Sequence, residues 1–553
     1  MKLNNFFIPL LAAGMLTACS DDSANVPENT GNMDGLYMTL TVSPQSMTRT
    51  PSPSTTTELG QDDENKVSNL LLVMVDKNST IVDYARVSSE DNIKEETNGD
   101  VTATGMFNRG RMVTYLQNRG NDDATKFYVI CNPTEANEFS VGQNIDDFIC
   151  QKDPETYYTS NKFVMSNAGD ATLYLPDLAK VQAGDYATPE TAFHIADVTV
   201  ERVAARFDYA EYISESDAVK DEANNCYYFT LAEGKDGVGA LRVSIKEMAL
   251  CNMGKQFYLF KRVNTTGLLT TPVTMFGAET KNNYVVDPFG EKKAALTKTS
   301  NDFDTYFNYA LFGSNNLTFT KVSDIMADAN KRGNENGTME GEQYNFWRYA
   351  LPSTLPSDPS TSQKNGNSTG VVFRAEITTP DASGDLKTAM TNGHDLYVFG
   401  GKMIGNYAAL LHIVDKDAAN AISVAFKNAL TPDEAAAESA TAAIQKKLVK
   451  AGFAIYTATE ENGSKHYYCD YYYWNRHNDN NNPQQMGAME FGVVRNNIYK
   501  LAVTTIQKLG HPIVPGDDPD PVDPDDPDET SDFYMKVKVT VKPWGVRVNK
   551  IKF

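Results

Sequence analysis

Short stretches that alternate apolar and polar residues recur along the chain, and two of them near opposite ends are almost alike. The first reads Tyr-Met-Thr-Leu-Thr-Val-Ser-Pro over residues 37–44, and the second reads Tyr-Met-Lys-Val-Lys-Val-Thr-Val-Lys-Pro over residues 534–543. A period of two is typical of a β-strand with one buried face. We expect pairing to stop at each proline, which has no N–H to donate. The predicted buried residues are Met38, Leu40 and Val42 in the first strand and Met535, Val537, Val539 and Val541 in the last.

Two strands this similar could occupy the same groove of a fold. If the first strand were removed from one copy, the last strand of a neighbouring copy could replace it and link the two copies. The alternative is that two exposed strands have converged by chance. The segments beside each strand favour the first interpretation.

The segment before the first strand has the pattern of an export signal. Lys2 is followed by an apolar run over residues 6–16 and then by Leu-Thr-Ala-Cys at 16–19. The run is too short to span a bilayer, which indicates a signal rather than a membrane helix. A small residue before Cys19 suits a lipoprotein peptidase, so Cys19 is predicted to be lipidated, with palmitate among its acyl chains. An ordinary signal with an incidental cysteine is the alternative.

A Pro/Ser/Thr-rich segment follows the first strand and is predicted to be an exposed loop. Arg49 is the one basic residue between Lys2 and Lys66. A protease of trypsin-like specificity would cleave between Arg49 and Thr50, which would release the lipid and the first strand together. The alternative is that Arg49 is simply a solvated charge.

The last strand is preceded by an acidic, proline-rich segment at residues 515–532 and contains Trp544 directly after its proline. Prolines and mutually repelling carboxylates predict an extended, semi-rigid spacer that reaches roughly 50 Å at about 3.1 Å per residue. Such a spacer could carry the last strand to another molecule. A calcium loop is the alternative interpretation of these aspartates. It is disfavoured because an EF-hand needs a glycine at its turn and a closing glutamate, and the prolines prevent that loop shape.

Composition limits the remaining classes of function. A chain of 553 residues exceeds one ordinary core, so two domains are expected. A net charge of −22 argues against nucleic-acid binding. The six histidines and six cysteines show no metal-ligand spacing, and no nucleophile-elbow motif is present. We therefore predict no catalytic residues, no metal, no cofactor and no enzymatic activity.

Other strand-like runs are separated by Gly, Asn and Asp clusters, which favours antiparallel sandwiches. They are Leu70 to Val75, Lys126 to Cys131, Val198 to Phe207, Leu241 to Ile245, Val371 to Ile377, Tyr467 to Trp474 and Ile498 to Thr505. One helix is predicted from Pro432 to Ala451, with Thr431 and Glu434 as a capping box and Gly452 after its end. The aromatic run from Tyr467 to Trp474 could stack sugars, although ordinary sheet packing is the favoured interpretation.

Taken together, several of these segments resemble the Bacteroidales fimbrillins, and most closely the shaft subunit of the minor (Mfa-type) fimbriae of Porphyromonas. They are the lipobox ending at Cys19, the Arg49 site, Arg202-Val203-Ala204-Ala205-Arg206, Arg495-Asn496-Asn497-Ile498-Tyr499, the Asp-Pro spacer and the final strand up to Trp544. The resemblance covers both ends of the chain well and the middle thinly. It implies two transthyretin-like β-sandwich domains with a few short helices, export as an outer-membrane lipoprotein precursor, cleavage by an arginine-specific protease and strand exchange into an extracellular type V pilus.

The sequence therefore predicts a shaft subunit of a fimbrium that supports adhesion and biofilm formation. Its partners would be other copies of itself, anchor and tip fimbrillins, an arginine-specific protease and host or bacterial surface receptors. It would touch a membrane only through the lipid of the precursor. The alternatives are a tip or anchor fimbrillin and a surface glycan-binding lipoprotein that uses Tyr467 to Trp474.

The predicted organisation follows from these segments. It comprises a signal peptide at 1–18, a propeptide with the removable strand at 19–49, an N-terminal sandwich at 50–212, a C-terminal sandwich at 213–514, the acidic spacer at 515–532 and the donor strand at 533–553.

Overall fold

The fold is known from a computed structural model, and it is mainly β, as predicted. The residues that the structure describes are 35–44, 58–88, 90–96, 100–119, 125–134, 139–147, 149–151, 154–159, 162–175, 184–232, 240–268, 270–276, 284–288, 290, 296–297, 299, 302–313, 317–332, 343–356, 362–380, 382–482, 484–513, 522–529 and 534–545. Cys19, Arg49 and Thr50 lie outside these ranges.

The strands are numbered in chain order. Those of the first part of the chain are β1 (Gly35–Pro44), β2 (Glu58–Leu59), β3 (Leu70–Val75), β4 (Ile81–Val87), β5 (Ile93–Glu95), β6 (Val101–Asn108), β7 (Lys126–Cys131), β8 (Ile149–Gln151), β9 (Tyr158–Thr159), β10 (Lys162–Phe163), β11 (Met165–Asn167), β12 (Thr172–Leu173), β13 (Phe193–Arg202) and β14 (Ala205–Ala210).

The remaining strands are β15 (Val219–Asp221), β16 (Cys226–Ala232), β17 (Leu241–Cys251), β18 (Met253–Gly254), β19 (Gln256–Tyr258), β20 (Arg262–Asn264), β21 (Thr274–Met275), β22 (Tyr284–Val285), β23 (Phe307–Asn308), β24 (Phe319–Lys321), β25 (Asn345–Ala350), β26 (Ser353–Thr354), β27 (Gly370–Thr378), β28 (Leu396–Phe399), β29 (Lys402–Ile404), β30 (Ala454–Tyr456), β31 (Ala458–Glu461), β32 (Ser464–Trp474), β33 (Gly492–Val493), β34 (Asn497–Ile506), β35 (His511–Pro512) and β36 (Met535–Gly545).

The α-helices in the described residues are short. They are α1 (Asp62–Asn65), α2 (Arg109–Asn118), α3 (Phe303–Tyr306), α4 (Val322–Ile325), α5 (Gly384–Asn392), α6 (Tyr407–Lys416), α7 (Ala421–Ala429), α8 (Pro432–Ala435) and α9 (Ala442–Lys450).

The first large sheet has the strand order β4-β3-β7-β11-β13-β1-β6-β5, with β12 paired to β13. Strand β3, in the interior of this sheet, is buried on both faces. Its even-numbered residues, such as Leu72, contribute to one apolar core together with β1, β6 and α2. Its odd-numbered residues, such as Val73, contribute to a second core that continues into the later sheets.

Two further sheets enclose that second core. One has the order β2-β36-β34-β14-β25, and the other has the order β15-β16-β17-β27-β32-β31 with β24 and β35 alongside. Phe207 and Tyr499 from the first of these meet Phe373 and Tyr471 from the second in one buried cluster. The pairing is antiparallel apart from β1 with β13, β14 with β34 and β2 with β36, among the described strands.

The chain passes from the first large sheet to the β36-containing sheet between Arg202 and Ala205. The predicted strand from Val198 to Phe207 is therefore two strands, β13 and β14, in different sheets. The other predicted runs each lie within a single strand. Hydrophobicity alone does not distinguish one long strand from two that meet at a corner, because both are apolar throughout.

The prediction of a single helix from Pro432 to Ala451 is wrong. The chain forms two helices, α8 and α9. The predicted capping box of Thr431 and Glu434 is present, but Thr441 caps a second helix by accepting a hydrogen bond from the Ile444 N–H. Threonine competes for backbone hydrogen bonds and so favours a helix start over a helix interior.

Candidate functional site

The first strand lies in the interior of its sheet. It pairs in parallel with β13, from Met38 opposite Phe193 to Pro44 opposite Val200. On its other side it pairs antiparallel with β6, from Gly35 opposite Asn108 to Val42 opposite Val101. Loss of β1 would therefore leave a slot bordered by two strands, each with free backbone donors and acceptors.

The floor of this slot is apolar. Met38 is 1% exposed, and Leu40 and Val42 are 0% exposed. Together with Leu36 they belong to the core that α2 closes with Met112. At about 1.5 to 3 kcal/mol per fully buried side chain, the apolar face of β1 contributes about 6 to 12 kcal/mol. A strand of the same pattern is needed to fill the space that β1 occupies.

The last strand is docked on its own chain, in a different sheet from β1. It pairs antiparallel with β34, from Met535 opposite Ile506 to Pro543 opposite Asn497. Its other edge is paired only at Trp544 and Gly545, with the two residues of β2, within the described part of the chain. Most of β36 is thus an edge strand, the position from which a strand can leave with least disturbance to the rest of a sheet.

The side chains of β36 are described for its first residues. Met535 is buried and Val537 is half-buried against the second core. Val539 and Val541 lie opposite Leu501 and Tyr499 in the backbone register. The ladder with β34 ends at Pro543, as expected, but the strand itself continues to Gly545, because Trp544 and Gly545 pair with β2 on the other edge.

The start of β2 is fixed by a buried group of charges around Arg206. The Arg206 guanidinium contacts Glu58 at 2.9 Å, Glu64 at 3.0 Å and Asp208 at 2.9 Å, and all four side chains are at most 5% exposed. Lys500 of β34 forms a further ion pair with Glu58. The segment that follows the predicted cleavage site is therefore attached to the sheet that holds β36.

The pKa values in this group follow from burial and charge. Burial works to raise the pKa of Glu64, but Arg206, the Gln61 N–H, Tyr349 and Arg202 together hold the pKa below its usual value. Burial raises the pKa of Asp208 despite the opposing effect of Arg206. Burial opposes the charge on Arg206 itself, but Asp208, Glu64 and Glu58 raise its pKa above the usual value. Removal of Arg206 would leave Glu64 and Asp208 buried without this cation and would leave Glu58 with Lys500 alone.

The two arginine motifs that carry the sequence resemblance are also buried. Arg202 donates to the Glu64 carbonyl and to Asn496, and Arg495 donates to the carbonyls of Tyr258 and Leu259. Both side chains are fully buried. They connect the first large sheet to the later ones, since Arg495 also donates to Ser166 of β11.

Part of the predicted spacer is bound to the body of the protein, which corrects the expectation of an extended segment. Residues 522–529 lie against a loop at residues 362–369, and we call this contact the tail clasp. Backbone hydrogen bonds join Asn365 N to the Asp526 carbonyl at 3.0 Å, Gly366 N to the Pro524 carbonyl at 2.9 Å and Asp528 N to the Gln363 carbonyl at 3.1 Å.

Side chains reinforce the tail clasp. Lys364 pairs with Asp525 at 3.0 Å, Arg476 pairs with Glu529 at 2.7 Å, and Ser368 donates to Asp528. The loop offered no signal in the sequence, because Ser-Gln-Lys-Asn-Gly-Asn-Ser-Thr looks like a solvent-exposed turn. It is buried because the acidic segment and the core cover it, and repulsion among the carboxylates is offset by Lys364 and Arg476.

The aromatic run from Tyr467 to Trp474 mostly packs inside the sheet. Tyr467 and Tyr471 are each 1% exposed and belong to the second core. The run also forms one wall of a cleft of about 840 Å³ between β32, the tail clasp and the start of β36. Tyr472, His511 and Tyr534 meet there, ring against ring. This cleft is the place where the glycan-binding alternative would have its site.

Among the described residues, no group of potential metal ligands is present and no helix has the length and apolar character needed to cross a bilayer. Cys131, Cys226, Cys251 and Cys469 are free thiols. Burial raises the pKa of Cys131, Cys251 and Cys469 to about 12, so these three thiols are unreactive at neutral pH.

A family model describes the region that contains these features. Residues 465–550 match the C-terminal region of fimbrillin, the major fimbrial subunit protein type IV. The matched segment runs from β32 through β34 and the tail clasp to β36. Curated protein sequences provide no match.

Solved structures of similar architecture cover most of the chain at low identity. A fimbrilin (FimA) from Porphyromonas gingivalis W83 is 13% identical over 94% of this chain and 99% of its own, with a TM-score of 0.38. A putative cell adhesion protein from Parabacteroides distasonis is 10% identical over 93% and 99%, with a TM-score of 0.38. The tip fimbrial protein Mfa3 from Porphyromonas gingivalis is 11% identical over 92% and 100%, with a TM-score of 0.29.

Proposed function

We propose that this chain is a shaft subunit of a cell-surface fimbrium that polymerises by strand exchange. In this proposal the first strand is removed by cleavage between Arg49 and Thr50, and the last strand of one copy fills the vacated slot of the next. The observation that carries the proposal is the contrast between an interior β1 and an edge-lying β36 with the same apolar pattern.

This contrast favours movement of β36 from its own chain into the slot of a neighbouring copy. On its own chain, β36 has one fully paired edge and a second edge paired at two residues. Between β6 and β13 it would pair along both edges, and each additional ladder hydrogen bond contributes about 1 kcal/mol. Met535, Val537, Val539 and Val541 would replace the apolar face of β1 and contribute about 6 to 12 kcal/mol. Strand addition of this kind gives slow dissociation.

Trp544 marks the far end of the proposed donor strand. In its own chain it pairs with Glu58, which the Arg206 charges hold in place. Release of the donor strand would therefore begin at Met535, which is farther from these charges. The match of residues 465–550 to the fimbrillin C-terminal model supports a fimbrial role for the region that includes β36.

Export and processing complete the proposal and rest on the sequence. Lipidation at Cys19 would attach the precursor to the outer membrane, and cleavage after Arg49 would release the subunit into an extracellular filament. The proposed partners are other copies of the chain, anchor and tip fimbrillins, the arginine-specific protease and surface receptors. A tip or anchor subunit is the alternative within the same class, and a shaft subunit is favoured because both a removable first strand and a donor strand are present.

Processing is tested by the N-terminus of subunits in sheared surface filaments. We expect Thr50 as the first residue, and the substitution Arg49→Ala should leave unprocessed chains at the membrane with no filaments. Lys66→Ala is the matched control, because Lys66 is the next basic residue and should not affect processing. Filament subunits that all begin with acylated Cys19 would refute the proposal.

Glycan binding remains a second candidate because of the cleft beside β32. Its aromatic lining suits the apolar faces of sugars, and Asp523, Asp526 and Glu529 border it. Binding of purified protein to a panel of glycans tests this candidate. A hit that Tyr534→Ala abolishes would support the cleft as a glycan site, because Tyr534 is 37% exposed and its loss leaves the core intact.

A further inference from the structure

We infer that the tail clasp stays closed when the last strand moves to a neighbouring copy, so that the chain pivots after Glu529 rather than at the start of the acidic segment. This inference rests on the proposed function, because it concerns the same strand exchange. It also changes what the acidic segment does, from an extended, semi-rigid spacer to an anchored strap.

Strand exchange would replace the contacts between β36 and β34 but would not replace those of the tail clasp. The ladder between β36 and β34 consists of main-chain bonds and apolar contacts, which a slot between β6 and β13 would replace. The tail clasp consists of specific pairs, such as Lys364 with Asp525 and Arg476 with Glu529. The described floor of the slot left by β1 is apolar and offers no equivalent of these two pairs.

The loop at 362–369 is held to the core of the protein by hydrogen bonds to Asn252. The Asn252 side chain donates to the carbonyls of Asn365 and Ser368, and Thr369 donates to the Asn252 carbonyl. Gln363 is 0% exposed, and Asn365 is 5% exposed. Opening the clasp would expose this preformed surface. The polar groups of the loop that now bond to the acidic segment would then have no other described partner in the chain.

Gly366 of the loop packs closely against Pro524 of the acidic segment. A β-carbon at this position would lie 2.9 Å from the Pro524 carbonyl oxygen and 3.0 Å from the Pro524 Cβ. The acidic segment therefore rests directly on the loop backbone. A side chain at position 366 could not be accommodated without displacing the acidic segment, so the loop is shaped to receive it.

Anchoring limits the reach of the donor strand. Four residues lie between Glu529 and Tyr534, and the five Cα-to-Cα steps that they make span at most about 18 Å at about 3.6 Å each. An open clasp would allow about 43 Å from Val522 to Tyr534 by the same measure. The slot of the next copy must then begin close to the tail clasp, which predicts closely spaced subunits with one fixed orientation.

A pair of disulfide locks tests the inference. Lys364 and Pro527 form an isolated antiparallel bridge flanked by the hydrogen bonds from Asn365 N and Asp528 N, which makes them a non-hydrogen-bonded pair. Such pairs have Cα atoms about 4.5 Å apart, which suits a disulfide. The double substitution Lys364→Cys with Pro527→Cys should therefore lock the clasp, and Ala502→Cys with Lys538→Cys should lock β36 to β34.

Each lock is introduced into the full chain in cells that export it, and filaments are counted by electron microscopy after oxidation or reduction. We expect the oxidised clasp lock to give filaments in wild-type amounts. The oxidised β36 lock should give none, and a reductant should restore them. Loss of filaments with both locks would overturn the clasp inference and leave strand exchange intact. Filaments with an oxidised β36 lock would overturn strand exchange and the inference with it.

Hydrogen exchange on wild-type protein gives an independent readout that needs no variant. The amides of Asn365, Gly366 and Asp528 donate the backbone bonds of the clasp. We expect them to be equally protected in monomers and in filaments, whereas amides of β36 change their protection. Loss of protection at these three amides on assembly would overturn the inference.

Discussion

Leu40 of the first strand lies directly opposite Ala103 of β6, and both side chains are completely buried. The pair marks the middle of the slot that strand exchange would refill. A residue in this position stabilises the precursor but, in the proposed mechanism, is absent from the filament. That difference can be measured.

Leu40→Ala should lower the free energy of unfolding of the unprocessed chain by about 2 to 5 kcal/mol, because it creates a cavity in the core. Filaments made from this variant should be as resistant to denaturant as wild type, since residues before Thr50 have left. Thr39→Ala is the matched control from the other face of β1 and should change little. A less stable filament would show that the first strand remains in it.

Val539→Asp should abolish filaments while the body of the monomer stays folded. An unpaired carboxylate in an apolar groove costs several kcal/mol. Because Val539 also faces Leu501 in the register of the free chain, we expect β36 to undock from β34. Electron microscopy and circular dichroism provide the two readouts. The control Lys536→Gln changes an exposed residue of the same strand and should assemble normally.

The tail clasp should weaken as the pH rises. Burial raises the pKa of Asp528 to about 8, against the opposing effects of Ser368 and Arg476 and with a further contribution from Glu529. A raised pKa means that the closed clasp holds a proton that the open one has lost. The contribution of protonated Asp528 to clasp stability is therefore complete below about pH 4. It declines as the pH rises towards 8, which increases the opening constant by about a factor of ten per pH unit.

Hydrogen exchange at Asn365 and Gly366, corrected for intrinsic rates, measures this opening. Asp528→Asn is the control, because an amide of the same shape does not titrate and should remove most of the pH dependence. An unchanged dependence in this variant would show that Asp528 is not its cause.

Arg206→Met should destabilise the monomer by about 3 to 5 kcal/mol, because Glu64 and Asp208 would remain buried without this cation and Glu58 would keep only Lys500. Chemical denaturation measures the effect. Lys220→Met is the control, since its pair with Glu222 is exposed to solvent and its removal should leave stability unchanged. Equal stability of the two variants would contradict the importance of the Arg206 group.

Local patterns in the sequence were sufficient for most of the predicted strands and for the buried face of β1, but not for the corner between β13 and β14. Alternation with a period of two identified Met38, Leu40 and Val42, which are buried as expected. The same local rule could not show that β1 lies between β6 and β13, because those partners are distant in sequence and pairing depends on the whole sheet. The donor role of Met535 to Val541 and the cleavage at Arg49 stay predictions.

The tail clasp shows where sequence reasoning failed. Proline and aspartate favour extended, solvated backbone, so the acidic segment was predicted to reach outward. Its binding depends on Lys364, Ser368 and Arg476, which lie in two separate regions and become neighbours only in the folded chain. The buried charges around Arg206 were missed for the same reason.

A filament structure determined by electron cryomicroscopy tests the central claim most directly. We predict that the strand between β6 and β13 of each subunit is formed by residues 535–545 of the next copy, and that residues 35–44 are absent. A slot that still contains Met38, Leu40 and Val42 of the same subunit, with β36 on its own β34, would contradict strand exchange.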